Sequence, residues 1–447
     1  MVRIMRQRID CEHPARMNRR ACLLTASASV LGATALAGTG TRGSSAPAVL
    51  RRGSLTGETV NVLDYCSANG RGSDAAPLQA LIDRNPDVLI YPARCRLVLD
   101  RPVHLQSHQT HRFEPGAAMT SETPGFAMRA IGETSATLGN VVEAISRYSN
   151  RVVLDRQPDL TVGDAIILAD VADPADIKTD VNVVKAIAGS AIGTVYPIGR
   201  AFSDLAHLRI YHLYRPIRHL AFEGFFKAEN LHREGGVLQI VNSRDLRLQG
   251  IDVLRAGHIG IAVENSVEGS LAQIAVARTG ASGLGLRSSK SFRLNGFVAA
   301  GVRGDESLTF YENVSLVEVA AVRIRQYLHG EDPGGGVAGN NVLIDRFCSR
   351  IRLSDLDCAG SATYNIMVHN HSDDCEIRNF RLAKANLGGI RISAHSHRTR
   401  VEAGSISQAV DSFDQERRRP AAPIAIGESC KGTVLGSDID TGAASAA

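Results

Sequence analysis

From residue 237 onward the sequence repeats at a nearly constant interval. Eight segments align on one apolar residue each, and successive aligned residues lie 23, 24 or 34 positions apart. A unit of this length cannot bury its apolar side chains alone, so the repeat indicates units that stack on one another around a shared core. The aligned apolar residues, here called the anchors, are Ile240, Val263, Leu286, Phe310, Ile344, Val368, Ile392 and Ile426.

Each unit contains three short apolar stretches separated by polar residues, as at Ile240, Leu246/Leu248 and Ile251/Val253. No unit carries a sustained helical period of 3.6 residues, which argues against a helical solenoid. We therefore predict an all-β fold, a right-handed parallel β-helix with three strands per turn. The two 34-residue steps contain additional residues, which are predicted to form surface loops at 326–340 and 411–423.

A region upstream of the repeat resembles a known family. The stretches VNVLDY (60–65) and IYP (90–92) are similar to the opening of the pectate-lyase-like superfamily. The resemblance covers nearly the whole chain after residue 55 and implies a short capping helix that includes residues 79–83. Cys66 and Ser67 stand where the family has Gly-Ala, so the resemblance does not assign a subfamily.

This superfamily includes polysaccharide lyases, polygalacturonase-like hydrolases and tailspike-like proteins. The resemblance therefore implies a polysaccharide partner, and it allows a homotrimer because trimers occur among tailspike-like relatives. It specifies the fold better than the reaction.

The organisation of the chain follows from these patterns and from its first residues. Two arginines, Arg19 and Arg20, precede an apolar run at 21–37 that is typical of a twin-arginine export signal, with Met17 as a candidate start. This run is too short and too weakly apolar to predict a stable membrane span, so we expect a periplasmic or secreted protein. The predicted divisions are a leader and tether (1–50), a cap with the first coils (55–130), a β-rich insert (131–215), the β-helix body (216–439) and a disordered tail (440–447).

The composition limits the classes of partner that we expect for this chain. The chain has 50 basic and 46 acidic side chains and no Lys/Arg-rich block, so nucleic acid is not a predicted partner. None of the eight cysteines forms a CxxC pair or a zinc spacing, which argues against a metal site, and the six beyond the leader are expected as thiols or disulfides.

The residue after each anchor points outward, and stacking places these residues in one column. Neighbouring turns lie about 4.7 to 4.9 Å apart, close to the repeat of a sugar chain, so the column predicts a groove for a linear polysaccharide. Its charged members favour an acidic, uronate-containing glycan, because arginine binds carboxylates strongly. Predicted catalytic residues are Arg287, Tyr311, Asp345 and His369, and predicted substrate-binding residues are Gln239, Glu264, His329 and Arg391.

β-Elimination fits this set best. It needs a base, a proton donor and a cation that neutralises the uronate carboxylate. Tyr311 or His369 could exchange protons, Asp345 could orient His369, and Arg287 could neutralise the carboxylate. The sequence therefore predicts an exported polysaccharide lyase.

Three further functions are compatible with the pattern. A polygalacturonase-like hydrolase is suggested by Asp373-Asp374-Cys375, although this motif lies out of phase with the predicted column. A uronate C5-epimerase and a non-catalytic glycan-binding β-helix use the same scaffold. No cofactor is predicted, but Asp373 and Asp374 are possible calcium ligands. His371 is expected to stack on His395 at a corner of the β-helix.

Overall fold

The computed structural model describes residues 57–173, 177–326, 339–407 and 422–441. The predicted leader, His329 and most of both predicted loops lie outside the described residues, so the predictions for them stay untested. Among the described residues, no helix is both long and apolar enough to cross a membrane.

The chain consists almost entirely of short strands. A brief 3-10 helix at Val62–Asp64 and one α-helix, α1 (Ala75–Asp83), lie near the N-terminal end. The strands before and within the insert are β1 (Thr59–Asn61), β2 (Val88–Tyr91), β3 (Arg96–Leu99), β4 (Val103–His104), β5 (Thr110–Ser121), β6 (Gly125–Ile131), β7 (Thr137–Asn140), β8 (Arg151–Val153), β9 (Ala165–Asp170), β10 (Lys178–Ala188), β11 (Ala191–Thr194) and β12 (Leu208–Leu213). Those that follow are β13 (Ile217–Arg218), β14 (Ala221–Asn230), β15 (Gly235–Val241), β16 (Ser243–Gln249), β17 (Ile251–Ala256), β18 (Ile261–Glu264), β19 (Val267–Ala277), β20 (Leu284–Arg287), β21 (Lys290–Ala300), β22 (Leu308–Tyr311), β23 (Ser315–Arg325), β24 (Val342–Asp345), β25 (Ser349–Ser361), β26 (Tyr364–Val368), β27 (Glu376–Ala385), β28 (Gly388–Ile392), β29 (Arg400–Ser407), β30 (Ile424–Ile426), β31 (Val434–Leu435) and β32 (Ile439–Asp440).

Two parallel sheets form the body and confirm the predicted parallel β-helix. The ten-stranded sheet runs from β4 to β30 and contains the anchors, whereas the sixteen-stranded sheet runs from β1 to β31 along the other sides. Strands that are adjacent in each sheet come from successive turns of the chain. The first seven anchors are at most 1% exposed, but Ile426 is 40% exposed because it lies in the last described turn.

The long strands of the sixteen-stranded sheet bend because single residues adopt the left-handed conformation. Seven successive turns place a non-glycine residue with φ between 53° and 61° near the start of the strand: Asp245, Glu268, Ser291, Leu316, Arg350, Asp374 and Arg398. Such residues carry a steric cost, so their recurrence indicates that stacking neighbours hold the bend.

The N-terminal end of the core is covered and rich in aromatic rings. Leu78, Leu81 and Ile82 of α1 are buried against the core, in agreement with the predicted capping helix. Inside the first turns, Tyr91 and Phe226 both stack on Phe113. His111 is fully buried beside them and forms a 2.8 Å hydrogen bond through Nδ1 with the Tyr91 hydroxyl.

The insert forms a six-stranded sheet of its own, in the order β7-β12-β9-β10-β11-β8. Its pairings are antiparallel, unlike those of the body. It packs on the β-helix through apolar contacts between Val267 and residues Ile167, Val181 and Val183. A fully buried ion pair, 2.6 Å long, joins Asp180 of the insert to Lys290 of the body.

The described cysteines all carry free thiols, and five of the six are buried. This outcome selects thiols over disulfides. Asp440, the first residue of the predicted disordered tail, lies in β32 and pairs with Ser405, and residues 442–447 lie outside the described residues.

Candidate functional site

The predicted outward column is present with the predicted register. In the ten-stranded sheet, Glu264 pairs with Arg287, Arg287 with Tyr311, and Tyr311 with Asp345. His369 continues the column one turn later, where its Nδ1 lies 2.8 Å from Ser393 Oγ. Arg391 lies in the neighbouring column, opposite Met367.

The exposure expected for the predicted site residues was wrong at four positions, three in this column and Gln239 in the neighbouring column. Gln239, Glu264, Arg287 and Asp345 are only 1 to 4% exposed. The insert covers Arg287, which donates to the Ile177 carbonyl and forms a 2.9 Å ion pair with Glu312. The repeat pattern could not reveal this cover, because the insert does not share the repeat.

The other buried members belong to local hydrogen-bond networks. Gln239 accepts from Arg129 and donates to Glu264. Asp345 accepts from the Asn370 side chain at 2.8 Å and from the Arg346 backbone at 2.9 Å. These contacts support the fold around the column.

Tyr311, His369 and Arg391 are half-buried. The guanidinium of Arg346 lies 5.0 Å from the Tyr311 ring centroid. Burial raises the pKa of Tyr311, so its phenol is protonated at neutral pH. The catalytic roles predicted for this column remain predictions.

A small cavity lies beside the column, where Ala262 and Gly285 leave room next to Glu264 and Arg287. Its volume is about 20 Å³. That space suits one water molecule and cannot hold a sugar ring.

A much larger groove lies on a different face, over the start of the long strands. It has a volume of about 870 Å³. A second pocket of about 410 Å³ shares Asp245, Arg247 and Ser270 with it, so the two are continuous. Together they extend from Thr110 in β5 to Glu376 in β27, across eight neighbouring strands and therefore about 34 Å.

Titratable side chains cluster around Asp245, which lines both pockets; His219 lines the smaller pocket and Glu268 the larger one. Arg244 Nε lies 3.0 Å from Glu268 and 3.9 Å from Asp245, so the carboxylate oxygens of the latter two are less than 7 Å apart. His219 Nδ1 lies 3.9 Å from Asp245 Oδ2. The Tyr196 hydroxyl, contributed by the insert, donates to Glu268 at 2.9 Å. These five residues are called the junction cluster.

One member of the junction cluster, Tyr196, has a raised pKa. Burial, together with the neighbouring Glu268, raises the pKa of Tyr196 to about 12, so its phenol retains its proton at neutral pH. His219 is exposed and faces the smaller pocket. The cluster therefore combines a proton donor, an imidazole, two carboxylates and a guanidinium.

Three solved structures have folds similar to that of this chain. The tailspike gp61 of Pseudomonas phage phi297 has a TM-score of 0.63 and 14% identity, over 84% of this chain and 74% of that one. The Gp54 tailspike of Acinetobacter baumannii bacteriophage AP22, solved with a capsular saccharide, has a TM-score of 0.53 and 9% identity, over 85% and 69%. DFA-IIIase from Arthrobacter chlorophenolicus, in complex with GF2, has a TM-score of 0.52 and 10% identity, over 87% and 89%.

The chain has the right-handed parallel β-helix fold of pectate-lyase-like proteins. The predicted resemblance is thus confirmed for the fold. No protein-family profile and no curated protein sequence matches this chain.

In this parallel β-helix, the Asp373-Asp374-Cys375 motif anchors the insert. Asp373 accepts from Arg147 at 2.8 Å, from the Tyr148 hydroxyl at 3.1 Å and from the His397 backbone at 2.8 Å. Asp374 forms an ion pair with Arg398, whose hydrogen bond lowers the Asp374 pKa. Among the described residues, no group of three or more His, Cys, Asp or Glu side chains is arranged for a metal ion.

The stacked corner histidines are present as expected. The ring centroids of His371 and His395 are 5.2 Å apart and the rings are nearly parallel. Phe347 stacks on His371, with 5.1 Å between their ring centroids.

The sequence reasoning missed the groove because it followed only the column next to the anchors. The second apolar pair of each unit offered an equivalent signal. Leu246 and Leu248 flank Arg247, and the residues that correspond to Arg247 in later turns form the groove floor.

Proposed function

We propose that this protein is an enzyme that binds a linear acidic polysaccharide lengthwise in the groove and cleaves it by β-elimination. The single observation that carries the proposal is the long groove with the junction cluster around Asp245, the residue that lines both of its pockets. A groove that follows the stacking axis meets about one sugar per turn, because turns lie about 4.7 to 4.9 Å apart.

Similar folds support a polysaccharide ligand. One of the structures described above contains a capsular saccharide, and a second is a DFA-IIIase in complex with GF2. At these low identities the likeness extends to the fold only, so the chemistry is argued from this chain's own residues.

The junction cluster supplies the parts of an elimination. In this proposal His219, oriented by Asp245, removes the proton at C5 of a uronate. The electron pair forms the C4–C5 double bond, the C4–O bond breaks, and the leaving oxygen takes a proton from Tyr196. Arg247, which lines both pockets, neutralises the uronate carboxylate.

The distance of 3.9 Å between His219 and Asp245 is longer than a hydrogen bond. Catalytic contacts are often long without substrate and shorten when substrate binds. The geometry therefore fits a pair that tightens around a bound polymer.

Glycoside hydrolysis is the second candidate, and one observation favours it. The carboxylate oxygens of Asp245 and Glu268 lie less than 7 Å apart through their shared partner Arg244. Retaining hydrolases place two carboxyl groups about 5 to 5.5 Å apart, and inverting ones about 6.5 to 9.5 Å. Hydrolysis would therefore use the same cluster with two carboxyl groups in place of the imidazole and the phenol.

A polymer panel with matched variants tests the proposal. Incubation with acidic polysaccharides should produce unsaturated chain ends that absorb ultraviolet light, and His219→Gln should slow their appearance by about 10²- to 10⁴-fold. His207→Gln is the control, because His207 is an exposed histidine of the insert outside the junction cluster, and this change should leave the rate unchanged.

The same assay identifies the competing outcomes. Reducing ends without ultraviolet absorbance would indicate hydrolysis, hydrogen exchange from deuterated water without shortening would indicate epimerisation, and an intact, unexchanged polymer that still binds would indicate a binding protein. If His219→Gln is fully active while Tyr311→Phe or His369→Gln is inactive, the chemistry belongs to the column in the ten-stranded sheet. We also propose that the leader directs the enzyme to the periplasm or out of the cell.

A further inference from the structure

We infer that the groove selects a polysaccharide with one acidic group per disaccharide over one with an acidic group on every sugar. This inference rests on the proposed function and names the substrate class of the same groove. It comes from the spacing of arginines along the groove floor.

One column of outward side chains has an arginine on every second turn. The strand registers align Arg247 with Ser270, Ser270 with Arg293, and Arg293 with Glu318. They continue from Glu318 to Arg352, from Arg352 to Glu376, and from Glu376 to Arg400. Seven successive turns therefore read Arg247, Ser270, Arg293, Glu318, Arg352, Glu376 and Arg400.

The spacing matches two sugars. Turns lie about 4.7 to 4.9 Å apart, so arginines on alternate turns repeat at about 9.4 to 9.8 Å. With one sugar per turn, a carboxylate on every second sugar faces an arginine each time. Arginine suits this role because its planar guanidinium binds carboxylates through two parallel hydrogen bonds.

The intervening turns disfavour additional acidic groups. Glu318 and Glu376 both line the groove between the arginines. A polymer with a carboxylate on every sugar would place like charges against them, which weakens binding and contributes specificity. The hydroxyl or amide groups of a neutral sugar can instead donate to these glutamates.

The existing ion pairs of the column are weak enough to exchange. Arg293 lies 3.4 Å from Glu318, and Arg352 lies 3.6 Å from Glu318 and 3.5 Å from Glu376. Their side chains are largely exposed, 82% for Arg293 and 63% for Arg352. Exposed ion pairs contribute little to stability, so a bound carboxylate can replace one partner.

Two classes of polymer test the inference by binding alone. Hyaluronan and heparosan carry one carboxylate per disaccharide, whereas polyglucuronate and polygalacturonate carry one per sugar. We expect the full-length protein to bind the first class at least about tenfold more tightly at physiological salt. Titration calorimetry measures the dissociation constants, with polymer concentrations expressed as moles of carboxylate. Neutral dextran serves as the uncharged reference.

Variants separate specific spacing from general charge attraction. Glu318→Gln/Glu376→Gln should remove the discrimination by strengthening binding of the second class, and Arg293→Gln should weaken binding of the first class about 3- to 10-fold. Arg323→Gln is the control, because it makes the same change at an exposed arginine of the same sheet, in β23, that does not line the groove. It should change neither affinity.

The outcomes separate this inference from the proposed function. Equal affinity for both classes, or discrimination that survives the double glutamate change, would overturn the disaccharide spacing and leave polysaccharide binding intact. Failure of every acidic polymer to bind would overturn the proposed function itself.

Discussion

At the scale of single residues, His111 shows how the aromatic core constrains a titratable group. Its ring lies 5.1 Å from Phe222 and 5.8 Å from Tyr91, with no solvent exposure. Nδ1 is paired with the Tyr91 hydroxyl, whereas Nε2 has no hydrogen-bond partner. Burial lowers the pKa of His111 from 6.5 to about 3, so the folded protein keeps this imidazole neutral.

The folded protein should therefore lose stability in mild acid. Below pH 6.5 the unfolded chain binds a proton at His111 that the folded chain does not bind, so stability decreases as the pH falls from 6.5 towards 3. At pH 5 the loss from this residue is about 2 kcal/mol. Denaturant unfolding at pH 7 and pH 5 measures it.

His111→Gln is the test variant because glutamine retains a hydrogen-bond partner for Tyr91 and does not titrate. We expect this variant to lose about 2 kcal/mol less than the parent between pH 7 and pH 5. His207→Gln should retain the parent's pH dependence. An unchanged acid sensitivity in His111→Gln would show that other groups cause it.

At the scale of elements, the docking of the insert depends on buried charges. Lys290 donates to Asp180 and to the Pro197 carbonyl, and Asp180 also accepts from the Gly199 backbone. A second ion pair joins Arg147 of the insert to Asp373 of the body. The insert is thus held by ion pairs whose partners are more than 100 residues apart in sequence.

Removal of one partner of the buried pair should be costly. Lys290→Met leaves Asp180 charged and buried without its cation, and we expect a loss of about 3 to 5 kcal/mol in the free energy of unfolding. Lys290→Met combined with Asp180→Leu should be less destabilised than Lys290→Met alone, because no uncompensated charge remains. Thermal unfolding with proteolysis of the insert measures both.

The exposed pair Arg112–Glu223 provides the control, with side chains about half exposed. Arg112→Met should cost less than about 1 kcal/mol. If the single and double changes at Lys290 and Asp180 destabilise equally, charge compensation does not explain the role of the pair.

The same contacts explain what the sequence could and could not predict. The anchors and the register of their outward neighbours follow from a local repeat, so the positions of Arg287 and Tyr311 on successive turns were predictable. The burial of Arg287 depends on Ile177, which belongs to a segment without the repeat. Long-range docking of this kind has no periodic signature in the sequence.

The groove could be predicted from the sequence only in part. Its floor follows the repeat, so counting from the second apolar pair could have located Arg247 and Arg293. The junction cluster contains two residues in the left-handed conformation, Asp245 and Glu268, and Tyr196 from the insert, and neither feature is visible as a motif.

At the scale of the whole molecule, stacking converts a short repeat into a long binding surface. The two connected pockets extend over eight strands of one sheet, while the insert contacts the turns at one edge of this surface. A ligand aligned with the stacking axis can contact all of these turns at once.

Affinity should therefore increase with ligand length. For size-fractionated acidic oligosaccharides, we expect the dissociation constant to fall steadily up to about seven sugars, the number that fits about 34 Å, and then to level off. Neutral oligosaccharides of equal length provide the control, and calorimetry provides the measurement. A plateau at two or three sugars would instead indicate a compact binding pocket.

In the proposed mode of binding, the alternation of arginine along the groove floor would also determine how a bound polymer moves. A shift by two turns restores every arginine contact, whereas a shift by one turn brings acidic groups opposite Ser270, Glu318 or Glu376. The surface thus offers a series of equivalent resting positions separated by unfavourable ones. Translocation along it would advance in strides of one disaccharide, and products would differ in length by even numbers of sugars.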